Sequence, residues 1–332
     1  MTASRPSAVD LRLGTRRGLA ACASDAGTFA VLALDHRQNL RRELRPGAPE
    51  SVTFPEMVEF KRAVVRALSP VATGTLLDPE IGAAQCIADG SLPSSAGLIV
   101  AIEATGFDGP STARVSRILD GWSVDQAKRI GASAAKLLVY YHPEASNAAD
   151  QERLVERVAT DCRAADLGLF VEPISFSLVD GEKLSGDARR DVVVETARRL
   201  TAIGGDILKA EFPYDPSMTD RERWREACEE LDGASLVPWV LLSGGVDEAT
   251  FEAQVETACR AGASGVLVGR SVWAEAATMT GPLRTAFLET TARGRLRRLV
   301  DLVESVGRPW LERSPLAAIP EPGEGWYRAT PG

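Results

Sequence analysis

Residues 206–213 read DILKAEFP, a short and nearly continuous apolar run interrupted by one cation, Lys209. Its length and continuity predict a strand buried on both faces rather than one with a wet side. Seven more runs of this kind recur: FAVLALDH (29–36), TGTLLDP (73–79), GLIVAIEA (97–104), SAAKLLVYY (133–141), LGLFVEPIS (167–175), PWVLLSGG (238–245) and GVLVGRSVW (265–273). Between most of them lie amphipathic patterns with apolar residues three and four apart, at 57–68, 123–132, 148–165, 188–204 and 248–262. In the tight interval between the second and third runs, 81–90 supplies a short helix. Eight strand–helix units within about 250 residues predict an α/β protein built as a single (β/α)8 TIM barrel. No Gly/Ser/Pro linker divides the chain. The expected organisation is an N-terminal helical cap over 1–27, whose helix at 10–24 closes the barrel bottom. The barrel follows over 28–306, with its last helix at 283–306, and a Pro-rich tail occupies 307–332.

The composition, 45% hydrophobic and 25% charged, is that of an ordinary globular protein. A net charge of −8 argues against a nucleic-acid or anionic-membrane partner, which calls for clustered Lys and Arg. No apolar run approaches the roughly 20 residues that span a bilayer. The N-terminus lacks the apolar centre of a signal peptide, so the expected location is the cytoplasm. Cys22, Cys86, Cys162, Cys228 and Cys259 are odd in number and never form a CxxC pair, which fits a reducing compartment. With only His36 and His142, and no HExxH or HxxEH spacing, no metal or other cofactor is expected.

In such barrels the chemistry sits at the C-terminal ends of the strands. The polar residues there are Asp35, His36, Asp78, Glu103, Lys136, Glu172, Lys209, Glu211, Ser243 and Arg270. Lysine is scarce in this chain, and two of its five lysines fall on strands four and six, which can contribute to one inward-facing layer. Lys209 has a structural reading, in which its stem lies along apolar neighbours while the ammonium reaches water. It also has a chemical one. A desolvated lysine beside a second cation gives up its proton more readily, and a neutral amine attacks a carbonyl to form a Schiff base. Asp35 and Glu172 are placed to pair with whichever lysine stays charged.

The seventh and eighth runs end in Ser243-Gly244-Gly245 and Gly269-Arg270. A glycine pair before a helix start offers backbone N–H groups to an anion, and a guanidinium suits a phosphate. The loops after strands seven and eight are the usual phosphate site of this fold.

In this order and on these strands, ALDHR, AAKLLVYY, LFVEP, DILKAEFPY, LLSGGV and GVLVGRSVW resemble the class I tagatose-1,6-bisphosphate aldolase family, which includes sulfofructose-phosphate aldolases. The resemblance covers roughly residues 28–280. It implies cleavage of a ketose (bis)phosphate or sulfosugar phosphate to dihydroxyacetone phosphate and an aldehyde. It implies that Lys209 forms the Schiff base, that Lys136 is a second active-site lysine, and that Glu172 or, next, Asp35 takes the C4 hydroxyl proton. Ser243, Gly244, Gly245, Gly269 and Arg270 match its phosphate-binding positions. Where the family usually reads Asp-Gln-Arg, this chain has Asp35-His36-Arg37, so the aldehyde half is left open. His36 keeps two readings, substrate contact or a structural hydrogen bond. The expected partners are a ketose-phosphate substrate and further copies of the same chain, without nucleic acid or membrane. Two rival readings keep the same fold: a non-catalytic sugar-phosphate sensor, and a phosphate-binding lyase or isomerase that uses no imine.

Overall fold

The computed structural model describes residues 11–324 and Trp326. The first ten residues of the expected cap, and residues 325 and 327–332 of the expected tail, lie outside the described residues. Among the described residues, eight strands pair in parallel in chain order and close into a barrel, the first against the last. They are β1 (Phe29–Leu34), β2 (Gly74–Leu77), β3 (Gly97–Ala101), β4 (Ala134–Tyr140), β5 (Gly168–Ile174), β6 (Ile207–Ala210), β7 (Trp239–Leu242) and β8 (Gly265–Val268). Each lies inside one of the eight apolar runs.

Side chains alternate across each strand. One set, Phe29, Val31, Ala33, Leu76, Ile99, Ala134, Phe170, Ile207, Val240 and Leu267, fills the barrel interior as one buried cluster. The alternate set, including Leu32, Leu137, Val171, Leu208 and Leu241, packs into a second core beneath the helices. The period then dictates what comes next on the inward face. Two residues beyond Ala33, Ala134, Phe170, Ile207 and Leu267 stand Asp35, Lys136, Glu172, Lys209 and Gly269. This layer of charged residues is the continuation of the core pattern.

At the other end the helix Leu13–Ala21 supplies Leu19 to the interior cluster, and Cys22 follows it. The Asp166 carboxylate, from the turn before β5, accepts the Gly14 and Thr15 N–H groups at 2.6 and 2.8 Å and so serves the start of that helix from a distance. The segment after 306, expected only as a tail, also enters this layer: Trp310 and Leu316 are buried against Phe29 and its neighbours.

Helices absent from the sequence reading are Gln38–Leu44, Arg221–Ala234 and the short Arg270–Trp273. The second buries only a narrow stripe, Trp224, Ala227, Cys228, Leu231 and Ala234, in an otherwise charged segment. The helix expected at 57 starts at Phe54, where Thr53 and Glu56 form a reciprocal capping box. Between β3 and the helix Val124–Arg129 the chain makes a long excursion. It folds back through antiparallel bridges Glu103–Ile118 and Asp108–Val115. Among the described residues no helix is long and apolar enough to cross a membrane.

Candidate active site

Lys136, 1% exposed, is the hub of the barrel mouth. Its Nζ lies 2.9 Å from Asp35 Oδ2, 2.7 Å from Glu103 Oε1 and 2.7 Å from Glu172 Oε2. Burial alone would lower its pKa, but Asp35, Glu103 and Glu172 reverse that and hold it well above the ordinary lysine value. Asp35 mirrors it. Burial would raise its carboxyl, yet the charges of Lys136, Lys209 and His36 hold it well below the ordinary range. Lys136 is therefore a permanent ammonium in a carboxylate cage.

Lys209 is equally enclosed, 4% exposed, but among the described residues it has one ion pair, Glu172 Oε1 at 2.7 Å. Glu172 thus touches both lysines, one through each oxygen. Its Oε2 is buried and takes part in the ion pair with Lys136 without a hydrogen bond in proper geometry.

Glu103 was not among the catalytic candidates, although the alternation of GLIVAIEA points it inward and could have found it. Besides Lys136, its Oε2 accepts the Leu138 N–H at 3.0 Å and its main-chain oxygen accepts from Arg37 at 2.9 Å. Two other strand-end carboxylates, Asp78 and the cavity-lining Glu211, make their hydrogen bonds outside the lysine cluster. Asp78 pairs with the fully buried Lys61 and accepts the Ile81 N–H at 2.8 Å. Glu211 accepts from Ser175 N at 2.7 Å and from Arg189 at 2.9 Å. Both serve the fold. His142, read from sequence as loop structure, accepts the Glu144 N–H on Nδ1 at 3.1 Å.

These groups open into a cavity of ≈ 710 Å³. One end is walled by Ser243, Gly244, Gly269 and Arg270, the middle by Lys209 and Lys136, and the far end by Thr105, Phe107 and Tyr140. At the first end Ser243 Oγ accepts the Gly269 N–H at 3.4 Å, joining the two loops. Gly244 and Gly245 have φ of +48° and +79°, a left-handed path that disfavours a side chain. The expected free helix start is not there. Asp247 caps the helix Glu248–Arg260 by accepting the Thr250 N–H at 3.0 Å, and the Gly245 N–H turns back to the Ser243 carbonyl. Gly245 lines a neighbouring cavity instead. Arg270 also lines the cavity at this end, with Glu43 3.5 Å from its Nη1.

His36 sits edge-on to Trp273, ring centres 5.2 Å apart, and Trp273 Nε1 donates to the Ala33 carbonyl at 3.1 Å. Burial pushes the His36 pKa down to about 4; Asp35 opposes this, while Arg270, Lys61 and Lys209 reinforce it. Among the described residues its buried Nδ1 has no hydrogen-bond partner. Gly269 makes room for the ring, since a Cβ there would stand 3.1 Å from His36 Cε1. Arg37 lines the cavity, but its guanidinium is engaged by Glu80 at 2.6 Å and by the Glu103 carbonyl.

Residues 29–275 match the DeoC/LacD family aldolases. The chain is 30% identical over 306 residues to tagatose 1,6-diphosphate aldolase 1 of Enterococcus faecalis, covering 86% of this chain and 93% of that one. It is 32% identical over 267 residues to tagatose 1,6-diphosphate aldolase of Streptococcus agalactiae, covering 75% and 81%. Among solved structures, the fructose-bisphosphate aldolase of Plasmodium falciparum superposes with a TM-score of 0.69 at 14% identity, over 93% of this chain and 99% of that one, a likeness of fold. Because the family match spans all eight strands and the relatives align over most of their length, the chain is an aldolase of the DeoC/LacD family.

Proposed function

We propose that the protein is a Schiff-base aldolase that cleaves a ketose phosphate into dihydroxyacetone phosphate and an aldehyde, with Lys209 as nucleophile. The observation that carries this reading is the asymmetry of the two lysines: among the described residues Lys136 faces three carboxylates and Lys209 the shared Glu172 alone. An amine must be free of its proton to attack, and Glu172 Oε1 is within reach of that proton.

The neutral Lys209 amine adds to the C2 carbonyl. Glu172 delivers a proton to the departing oxygen, water leaves, and an iminium forms. A carboxylate then takes the C4 hydroxyl proton, the C3–C4 bond breaks into the iminium, and the aldehyde departs. Glu172 is the first choice for that base and Asp35 the second. The enamine is protonated at C3, and water hydrolyses the imine to regenerate the amine. Lys136 supplies a fixed positive charge that holds Asp35 and Glu172 in place. Arg270, with Ser243, Gly244 and Gly269, holds the C1 phosphate and so places C2 over Lys209. His36 stands between these ends as a neutral ring. Five free, buried cysteines support a reducing, cytoplasmic setting.

The similarity to tagatose 1,6-diphosphate aldolases makes tagatose 1,6-bisphosphate the first substrate to test. Release of dihydroxyacetone phosphate should be followed with tagatose 1,6-bisphosphate, fructose 1,6-bisphosphate and sulfofructose 1-phosphate. Release from at least one, abolished by Lys209→Arg, supports the proposal. No release from any of them rejects it.

A further inference from the structure

The excursion between β3 and the helix Val124–Arg129 is fastened by an arginine that the chemistry above does not use. The Arg114 guanidinium lies over three aromatic rings, Phe107 at 4.7 Å, Phe176 at 5.2 Å and Tyr140 at 5.6 Å. Those rings come from three places: the excursion itself, the loop after β5, and the end of β4. Phe107 and Tyr140 also meet edge to face at 5.1 Å. Arg114 Nε donates to the Ser111 carbonyl at 3.0 Å, and Asn147 Nδ2 donates to the Arg114 carbonyl at 2.8 Å. A guanidinium stacked on ring faces and tied at both ends fixes the rings relative to one another.

Phe107 and Tyr140 line the reaction cavity, whereas Arg114 does not. Tyr140 lies on the inward face of β4, four residues after Lys136, and Phe107 is 39% exposed at the rim. The reading above, on which this inference rests, seats the C1 phosphate at Arg270 and C2 at Lys209. Carbons beyond C3 then extend to the opposite end, toward these two rings. We propose that Phe107 and Tyr140 are the specificity-determining wall for the aldehyde half, and that Arg114 is the positioning residue that sets this wall. An aromatic face packs on the C–H surface of a carbon chain, and a phenol donates to a hydroxyl. Burial raises the Tyr140 pKa despite the opposing charge of Arg114, which keeps that donor protonated. The wall suits a hydroxylated aldehyde of three or more carbons.

Kinetics in the synthesis direction separate the two halves of the substrate. Dihydroxyacetone phosphate and D-glyceraldehyde 3-phosphate are varied in turn for the wild type, Phe107→Ala and Arg114→Ala. Each variant should raise KM for the aldehyde about tenfold while KM for dihydroxyacetone phosphate stays within about twofold. Borohydride trapping of dihydroxyacetone phosphate should be unchanged in both. An unchanged aldehyde KM in either variant, or equal loss for both substrates together with weaker trapping, overturns the proposal. A wild type that forms no adduct overturns the Schiff-base reading itself, and this inference with it.

Discussion

Lys136 and Lys209 are bridged by a single carboxylate, Glu172, whose two oxygens stand 2.7 Å from one ammonium and 2.7 Å from the other. From sequence, repulsion between the two lysines was the expected way to free an amine. The structure alters that picture, because Lys136 is surrounded by Asp35, Glu103 and Glu172 before its charge reaches Lys209. The difference between the lysines lies in their partners. One is caged and the other is left with one proton acceptor.

If Lys136 serves as a fixed charge, its loss should harm stability as well as rate. Lys136→Met leaves three carboxylates facing one another in a buried site, a cost of about 3–5 kcal/mol. Thermal unfolding should show a large fall in Tm. Lys136→Arg keeps the charge and should lose less of both stability and activity. A methionine variant as stable as the wild type would mean that the cage is not held by charge.

Acid should weaken the fold in two steps. The folded His36 pKa, about 4, lies below its ordinary 6.5, so the unfolded chain binds the extra proton. The stability from neutral His36 is therefore full above about 6.5 and is lost as pH falls toward about 4, on the order of 3 kcal/mol at most. Asp35 acts lower: its contribution is full above its ordinary 3.8 and is lost as pH falls through its depressed folded value. His142, also shifted down, has the same sign as His36, so the informative quantity is a difference between variants. Denaturant unfolding of His36→Gln should show a shallower loss between pH 6.5 and 4 than the wild type. Equal slopes would contradict the buried neutral ring.

The fold was legible because barrel strands are buried on both faces, which leaves eight apolar runs that little else produces. The charged layer of the candidate site was legible for the same reason, since Lys136, Glu172 and Lys209 extend the inward alternation of Ala134, Phe170 and Ile207. What escaped is what depends on contacts distant in sequence. Glu103 matters because Lys136 and Arg37 meet it, and neither is near it in the chain. Trp310 reads as part of a Pro-rich tail until the barrel bottom needs a plug. Arg114 looks like any surface arginine until Phe107, Tyr140 and Phe176 enclose it. The Asp247 cap shows the opposite failure: a local motif promised an open helix start, and the adjoining residue had already closed it.

Arg270→Ala should act on the phosphate. Removing a charge-assisted contact costs roughly 2–4 kcal/mol. The loss should fall mainly on kcat/KM for phosphorylated substrate, with little change in Tm because the side chain is partly exposed. Wild-type kinetics in this variant would place the anion elsewhere.

The central claim is that Lys209 forms the imine, and its most direct test is covalent. The protein is incubated with dihydroxyacetone phosphate, reduced with borohydride, digested and mapped by mass spectrometry. The expected result is one triose phosphate adduct on the peptide carrying Lys209, absent in Lys209→Arg and retained in Lys136→Arg. An adduct on Lys136 would exchange the two roles, and no adduct on either lysine would contradict Schiff-base chemistry at this site.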